Sequence, residues 1–571
     1  MEKANSLRSR HSSSSPNETK GPGYGYDYEL EQTRVRGIET DPQTSLHRGL
    51  KARHISMIAI GGAIGTGLII GTGKALAQAG PGSILISYSL IGFIVFLVMA
   101  GLGEISAWLP MSAGFTGYAS RFCDPSLGFA LGWVYWFKYI ILPPNQLTAL
   151  ALVIQFWLPP ERVNPGVWIA IFLVLILCIN YFGVRFFGEF EFWLSSFKVV
   201  VIIGIIILSL IITAGGVDGE VRGFKYWRDP GAFNEYLVEG PLGKFLGFYS
   251  TLVTATFAFL GTELVGVTVG EAQNPRRTIP RAIKLTFWRI VVFYIVSIFL
   301  LGMIVRYDDD KLSFNLKKNL PGANSSPFVV AIEAAGIDIL PHIINGAILL
   351  FVFSAANSDL YIASRTLYGL ASDGSAPSFF RRTDSRGVPI YALFLSASFG
   401  LLGLLNVSDS AKTVFTYFVN VTTILGLLTW ISILVTHISF VRARKAQGIT
   451  DDQMPYTAPL GIYGSYGALF TCCLIAITKN FDAFIPSITK KEKYTAFITG
   501  YIGIPIYLIL IFGHKWWTKS KRVRPHECDF YTGKDIIDRE EEEFLANQAA
   551  ERAANPDRGR TFYRKWVSWL F

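Results

Sequence analysis

The chain has 571 residues, 51% of them hydrophobic and only 16% charged, with a formal net charge of +10. Soluble domains carry roughly a quarter charged residues, so a large share of this chain is expected where charge is excluded, and a soluble globular fold is set aside. The basic excess does not point to nucleic acid, because the Lys and Arg residues fall in loops and tails between apolar runs, where they set topology.

Residues 1–50 are polar, Ser-rich and mixed in charge, with no signal-peptide core, and are expected to form a disordered cytosolic tail. From 51 to 516, nearly charge-free runs recur, including 84–102, 165–182, 199–213, 291–305 and 421–439. About 20 apolar residues cross a bilayer as a helix. The pattern therefore predicts an all-α polytopic membrane protein with twelve transmembrane helices. Spans one to twelve are placed at 53–79, 82–108, 126–157, 165–183, 189–213, 245–271, 281–306, 327–358, 388–406, 411–440, 460–478 and 495–515. An even count puts both termini on one face. Loops on that face carry Arg276, Arg277, Arg281 and Lys284, then Arg365, Arg381, Arg382 and Arg386, then Arg442, Arg444 and Lys445, which makes it cytosolic. Residues 517–571 are read as a cytosolic tail, with the acidic run Glu540–Glu543 inside an amphipathic helix. Cys123, Cys178, Cys472, Cys473 and Cys528 show no metal spacing and read as free, packed thiols. No metal, cofactor, nucleotide-binding or nucleophile motif is visible, so neither an enzyme nor an ATP-driven pump is supported.

Two spans share an anomaly. Span one contains Gly61-Gly62-Ala63-Ile64-Gly65-Thr66-Gly67, and span six contains Phe259-Leu260-Gly261-Thr262-Glu263-Leu264-Val265-Gly266. Glycine in a helix interior costs about 1 kcal/mol relative to alanine, so both stretches are expected to unwind. Unwound backbone at membrane depth is tolerated where it lines a cavity or is buried in protein. The two spans also head successive groups of five, which predicts a 5+5 inverted repeat with broken helices one and six, followed by two further helices. Close packing through small residues is the alternative explanation of the glycines.

Unwinding frees N–H groups at the start of one half-helix and carbonyls at the end of the other. The amides of Gly65, Thr66 and Gly67, with the Thr66 hydroxyl, suit a carboxylate. The carbonyls near Ala63, Ile64, Phe257 and Leu260 suit an ammonium, and Gly261 and Thr262 complete the break. Anion and cation capture side by side is the chemistry of an α-amino acid backbone.

The stretch Arg53-His54-Ile55-Ser56-Met57-Ile58-Ala59-Ile60-Gly61-Gly62-Ala63-Ile64-Gly65-Thr66-Gly67 resembles the opening span of the fungal amino-acid permeases, in the amino acid–polyamine–organocation superfamily. So do Glu271-Ala272-Gln273-Asn274-Pro275-Arg276-Arg277-Thr278-Ile279-Pro280-Arg281 and Asn357-Ser358-Asp359-Leu360-Tyr361-Ile362-Ala363-Ser364-Arg365. The segments Leu142-Pro143-Pro144-Asn145-Gln146 and Phe187-Gly188-Glu189-Phe190-Glu191-Phe192-Trp193 are similar to the family's carriers of dicarboxylic amino acids. The likeness implies proton-coupled uptake of glutamate and aspartate across the plasma membrane, with no cofactor besides the proton and with the surrounding lipid as solvent. It also implies control by ubiquitin-ligase machinery acting on the tails, for instance at Lys3 or Lys20. A broad or neutral amino-acid permease, or a non-transporting sensor on the same scaffold, remain open alternatives.

Several relatives place a glutamate where this chain has Asn145, and loss of a carboxylate there removes repulsion toward an acidic substrate. Lys138, two turns earlier, either meets the second carboxylate or snorkels or pairs with Glu104 or another carboxylate. Lys198 in span five is a coupling candidate, since the superfamily resemblance puts it where sodium binds in sodium-coupled cousins; a permanently charged structural lysine is the alternative. Glu263 is either protonated in step with transport or holds the unwound segment. Ser354, Asn357 and Asp359 pose the same choice.

Overall fold

The computed structural model describes residues 67–111, 113–217, 219–267, 275–309, 326–334, 339–407, 411–484 and 490–554, with Met57 and Gly65. Every long element among them is a helix. Nine are long and apolar enough to cross a membrane, and Pro165–Tyr181 and Ile390–Leu405 are shorter apolar helices. The protein is a multi-pass membrane protein. The first part of span one lies outside the described residues.

Local chemistry sets several boundaries. Span three (Pro125–Ile154) begins with Asp124, whose side chain accepts from Ser126 N at 2.8 Å, followed by a proline at the first helical position. Span four (Pro165–Tyr181) repeats the device, with Asn164 accepting from Gly166 N at 2.8 Å. Gly80-Pro81 divides Thr72–Trp108 into the end of span one and the whole of span two.

Two expected boundaries are corrected. Span eight, read as 327–358, is the helix Leu340–Ser372, and Pro327–Ala334 is a separate short helix. The expected span stops at 358, short of the polar residues Asp359, Ser364, Arg365 and Thr366. These are instead buried against other helices, so the helix continues through them. Span five begins at Val184 rather than 189, which sets Lys198 at mid-helix.

Burial separates core from periphery. In spans three and ten, 83% of the most apolar stretch is buried, against 17% in span twelve, so the former two pack at the centre and span twelve faces lipid. The five cysteines are free.

The tail beyond Thr518 packs on the ends of the central helices. Val523 N donates to Cys123 O at 2.9 Å, Arg121 donates to the carbonyls of Asp529 and Thr532, and Gln447 donates to Cys528 O at 2.7 Å. Phe530 is fully buried against Trp108, Phe122 and Phe440. The terminal helix Lys534–Ala554 is pinned through Asp538, ion-paired with Arg276. Despite the cost of partial burial, hydrogen bonds from Arg276 and Lys534 hold the Asp538 carboxyl below the usual carboxylate range. A depressed carboxylate stabilises the docked state above its unfolded value and loses that contribution as pH falls through its folded value. Docking is therefore expected to hold at neutral pH and to loosen below about pH 4. Phe530→Ala removes the aromatic plug at a cost of about 3–5 kcal/mol and should release the tail already at neutral pH, read as faster proteolysis after residue 520.

Candidate functional site

Span six is broken. Its helix runs Pro241–Phe259, turns through Leu260–Glu263 and restarts at Leu264–Val267. Gly261 sits at φ 92°, in the left-handed region that a side chain disfavours. The turn is partly self-satisfied: Leu260 N donates to Phe257 O at 3.2 Å, and the Thr262 hydroxyl donates to Phe259 O at 2.8 Å. A carbonyl has two lone pairs, so Phe257 O keeps one to offer.

Span one meets this break backbone to backbone. A methyl group on Gly67 would lie 2.5 Å from Ala258 Cα. The Tyr88 hydroxyl reaches Gly67 O at 3.4 Å, and Tyr294 reaches Ala258 O at 3.1 Å, holding the two segments from spans two and seven. Between them and the core lies a cavity walled by Gly65 and Gly67, by Phe257, Ala258, Leu260 and Gly261, by Leu142 and Gln146 of span three, and by Ala355 and Asp359 of span eight. Ala63, Ile64 and Thr66 lie outside the described residues.

The charged groups form two buried clusters. Lys138 and Glu263, both fully buried, are ion-paired, and Trp430 Nε1 of span ten donates to Glu263 Oε2 at 3.2 Å. The Lys138 ammonium also lies 4.6 Å from the Tyr139 ring centre and 5.1 Å from that of Tyr135. Glu263 thus ties the broken segment to spans three and ten. Glu104 has other partners, accepting from Ala458 N at 2.8 Å and lying 3.2 Å from His437 Nε2. In the second cluster Glu191 accepts from Ser195 at 3.2 Å and from Ser354, while Lys198, fully buried, has Glu191 and Asp359 within electrostatic reach. Asn180 Nδ2 donates to Asn357 Oδ1 at 3.0 Å.

Asn145 is fully buried, with neither amide atom hydrogen-bonded among the described residues, and the span-three amide that lines the cavity is Gln146. The sequence reading did not single out Gln146, Trp430 or Arg289. Arg289 of span seven is 2% exposed, and none of its three guanidinium nitrogens has a hydrogen-bond partner among the described residues. A buried arginine inside an apolar span was the signal available for it.

Residues 54–527 match the family model of the amino acid permeases. The chain belongs to the amino acid permease family. It is thus a transporter of amino acids rather than an enzyme. It is 52% identical to the dicarboxylic amino acid permease of Saccharomyces cerevisiae over 93% of this chain and 88% of that protein. It is 41% identical to that yeast's lysine-specific permease, over 83% of this chain and 76% of the relative. Among solved structures, it matches a nucleobase–cation symport-1 family transporter with bromovinylhydantoin bound. That match has 16% identity and a TM-score of 0.49, covering 88% of this permease and 99% of the other chain.

Proposed function

We propose that this permease imports acidic amino acids, glutamate and aspartate, together with protons, by alternating access at the plasma membrane. The observation that carries the reading is the break at Leu260–Glu263 set directly against Gly67, with a cavity between them. The amides of Gly65, Thr66 and Gly67 take the substrate α-carboxylate, and the carbonyls of Ala63, Ile64, Phe257 and Leu260 take its ammonium. Twelve spans, the first ten forming an inverted repeat, place both tails in the cytosol, where ubiquitin-ligase machinery reaches Lys3 and Lys20. No cofactor is needed, since the proton is the coupling ion. Lys198 and the Lys138–Glu263 pair respond to its passage.

Acidic substrates are favoured by the 52% identity to a dicarboxylic amino acid permease and by neutral Asn145 and Gln146 in span three. In a cell lacking its own uptake systems, labelled glutamate is expected to enter faster at acidic pH. Excess aspartate should block that entry and excess leucine should leave it nearly intact. Potent inhibition by leucine would replace this reading with a broad-specificity permease, and no pH-dependent uptake of any amino acid would leave a sensor.

A further inference from the structure

Among the described residues, Glu191, Glu263 and Asp359 are buried carboxyl groups of spans five, six and eight, and two of them are held by strong partners. Glu263 is ion-paired with Lys138 and bonded by Trp430. Glu191 accepts from two serine hydroxyls. Asp359 is placed differently. It is 8% exposed and forms part of the cavity wall. Its Oδ2 accepts from Gln146 Nε2 at a long 3.5 Å, and no cation among the described residues forms an ion pair with it. The titratable groups that face it are Lys138, Tyr135 and Tyr139 of span three, Lys198 of span five and Glu263 of span six. Lys138 is committed to Glu263, and Lys198 is shared with Glu191.

An acidic amino acid carries two carboxylates. In the reading above, which this inference rests on, the amides of Gly65, Thr66 and Gly67 hold one of them. The other occupies the remaining cavity, whose one acidic wall residue among the described residues is Asp359. Two ionised carboxylates in a water-poor space repel and do not share a site, whereas one proton between them turns repulsion into a charge-assisted hydrogen bond.

We propose that Asp359 is the charge filter of the cavity and the carrier of the coupled proton. It takes a proton from the outer medium, donates the resulting O–H to the side-chain carboxylate of the substrate, and gives that proton to water on the cytosolic side after the substrate leaves. One O–H bond at an Asp359 carboxyl oxygen forms as one in an external hydronium breaks, and it breaks as one forms on cytosolic water; no bond of the substrate changes. The same residue thereby sets specificity: a neutral amino acid brings no carboxylate to stabilise the protonated form.

The test compares the full-length protein with Asp359→Asn, a permanently neutral isostere, in cells without acidic amino-acid uptake, with surface level measured for each. Wild-type glutamate uptake is expected to fall as external pH rises from about 5 to about 7.5, approaching roughly tenfold per unit once the carboxyl is mostly ionised. In Asp359→Asn the profile should flatten to within about twofold, exceed the wild-type rate at the alkaline end and no longer accumulate glutamate against a gradient. Should the asparagine variant not reach the surface, Asp359→Ser supplies the same neutral wall. Binding to purified wild-type protein supplies a second readout, in which glutamate affinity weakens with rising pH and glutamine affinity does not. A steep pH profile that survives in the neutral variants overturns the proposal. Surface-resident variants that transport at no pH also overturn it, because the carboxylate itself would then be required, for instance to hold the substrate ammonium. Wild-type protein that carries no glutamate at any pH would instead overturn the acidic-substrate reading.

Discussion

Lys138→Met is expected to remove most of the protein from the membrane surface and to abolish transport by what remains. The substitution leaves Glu263 fully buried without its cation, with Trp430 still donating to it. Removing one partner of a buried ion pair costs about 3–5 kcal/mol, a large part of the roughly 5–15 kcal/mol that holds a typical domain. Glu263→Gln strands the lysine instead and should be comparably severe. Replacing both, as Lys138→Met with Glu263→Leu, removes the stranded charge and is expected to recover stability while leaving transport lost, since the broken segment has lost its tether to spans three and ten. Thermal unfolding of the purified variants, read beside uptake per surface molecule, checks this. A double variant no more stable than either single would show that the two charges are not each other's main support.

Gly67→Ala carries the second large effect. Its new methyl would stand 2.5 Å from Ala258 Cα and 3.0 Å from Ala258 N, backbone atoms with no rotamer by which to move aside. Spans one and six must then separate at the point where the substrate is proposed to sit, and a displacement of about 1 Å in a reacting or binding geometry is worth on the order of a hundredfold. Gly261→Ala fails for a different reason. There is a backbone conformation to hold at φ 92°, and a side chain there costs about 1–3 kcal/mol, so the turn drifts toward continuous helix. Gly204→Ala in span five is the control, with nothing within 4 Å of the added methyl. Uptake per surface molecule should fall on the order of a hundredfold in the first two and stay near wild type in the third. Equal uptake in all three would mean that the contact between spans one and six is incidental.

The fold was legible to the degree that apolar runs face lipid or pack without polar interruption. The break in span six was legible too, because glycine and a carboxylate at mid-membrane have few other uses, and the turn falls at Leu260–Glu263. Span eight was misplaced for the opposite reason. Polar residues of its second half are buried among neighbouring helices, and hydropathy alone reads them as an exit from the bilayer. The site's charged partners were beyond local reading. Lys138 finds Glu263 across 125 positions, and Glu104 finds His437 across 333, so composition could offer Glu104 as a partner for Lys138 but could not choose. Gln146 and Asp359 were in plain view as residue types. Their place in the cavity wall depends on the rotation of spans three and eight about their axes, which the packing of the whole bundle sets.

An experimental density map of the full-length protein with glutamate bound tests the account most directly. The account predicts ligand density whose α-carboxylate meets the amides of residues 65–67 and whose ammonium meets the carbonyls at Phe257 and Leu260, with spans one and six both interrupted there. Helices running straight past Gly65 and Gly261, or glutamate bound away from that junction, would contradict it.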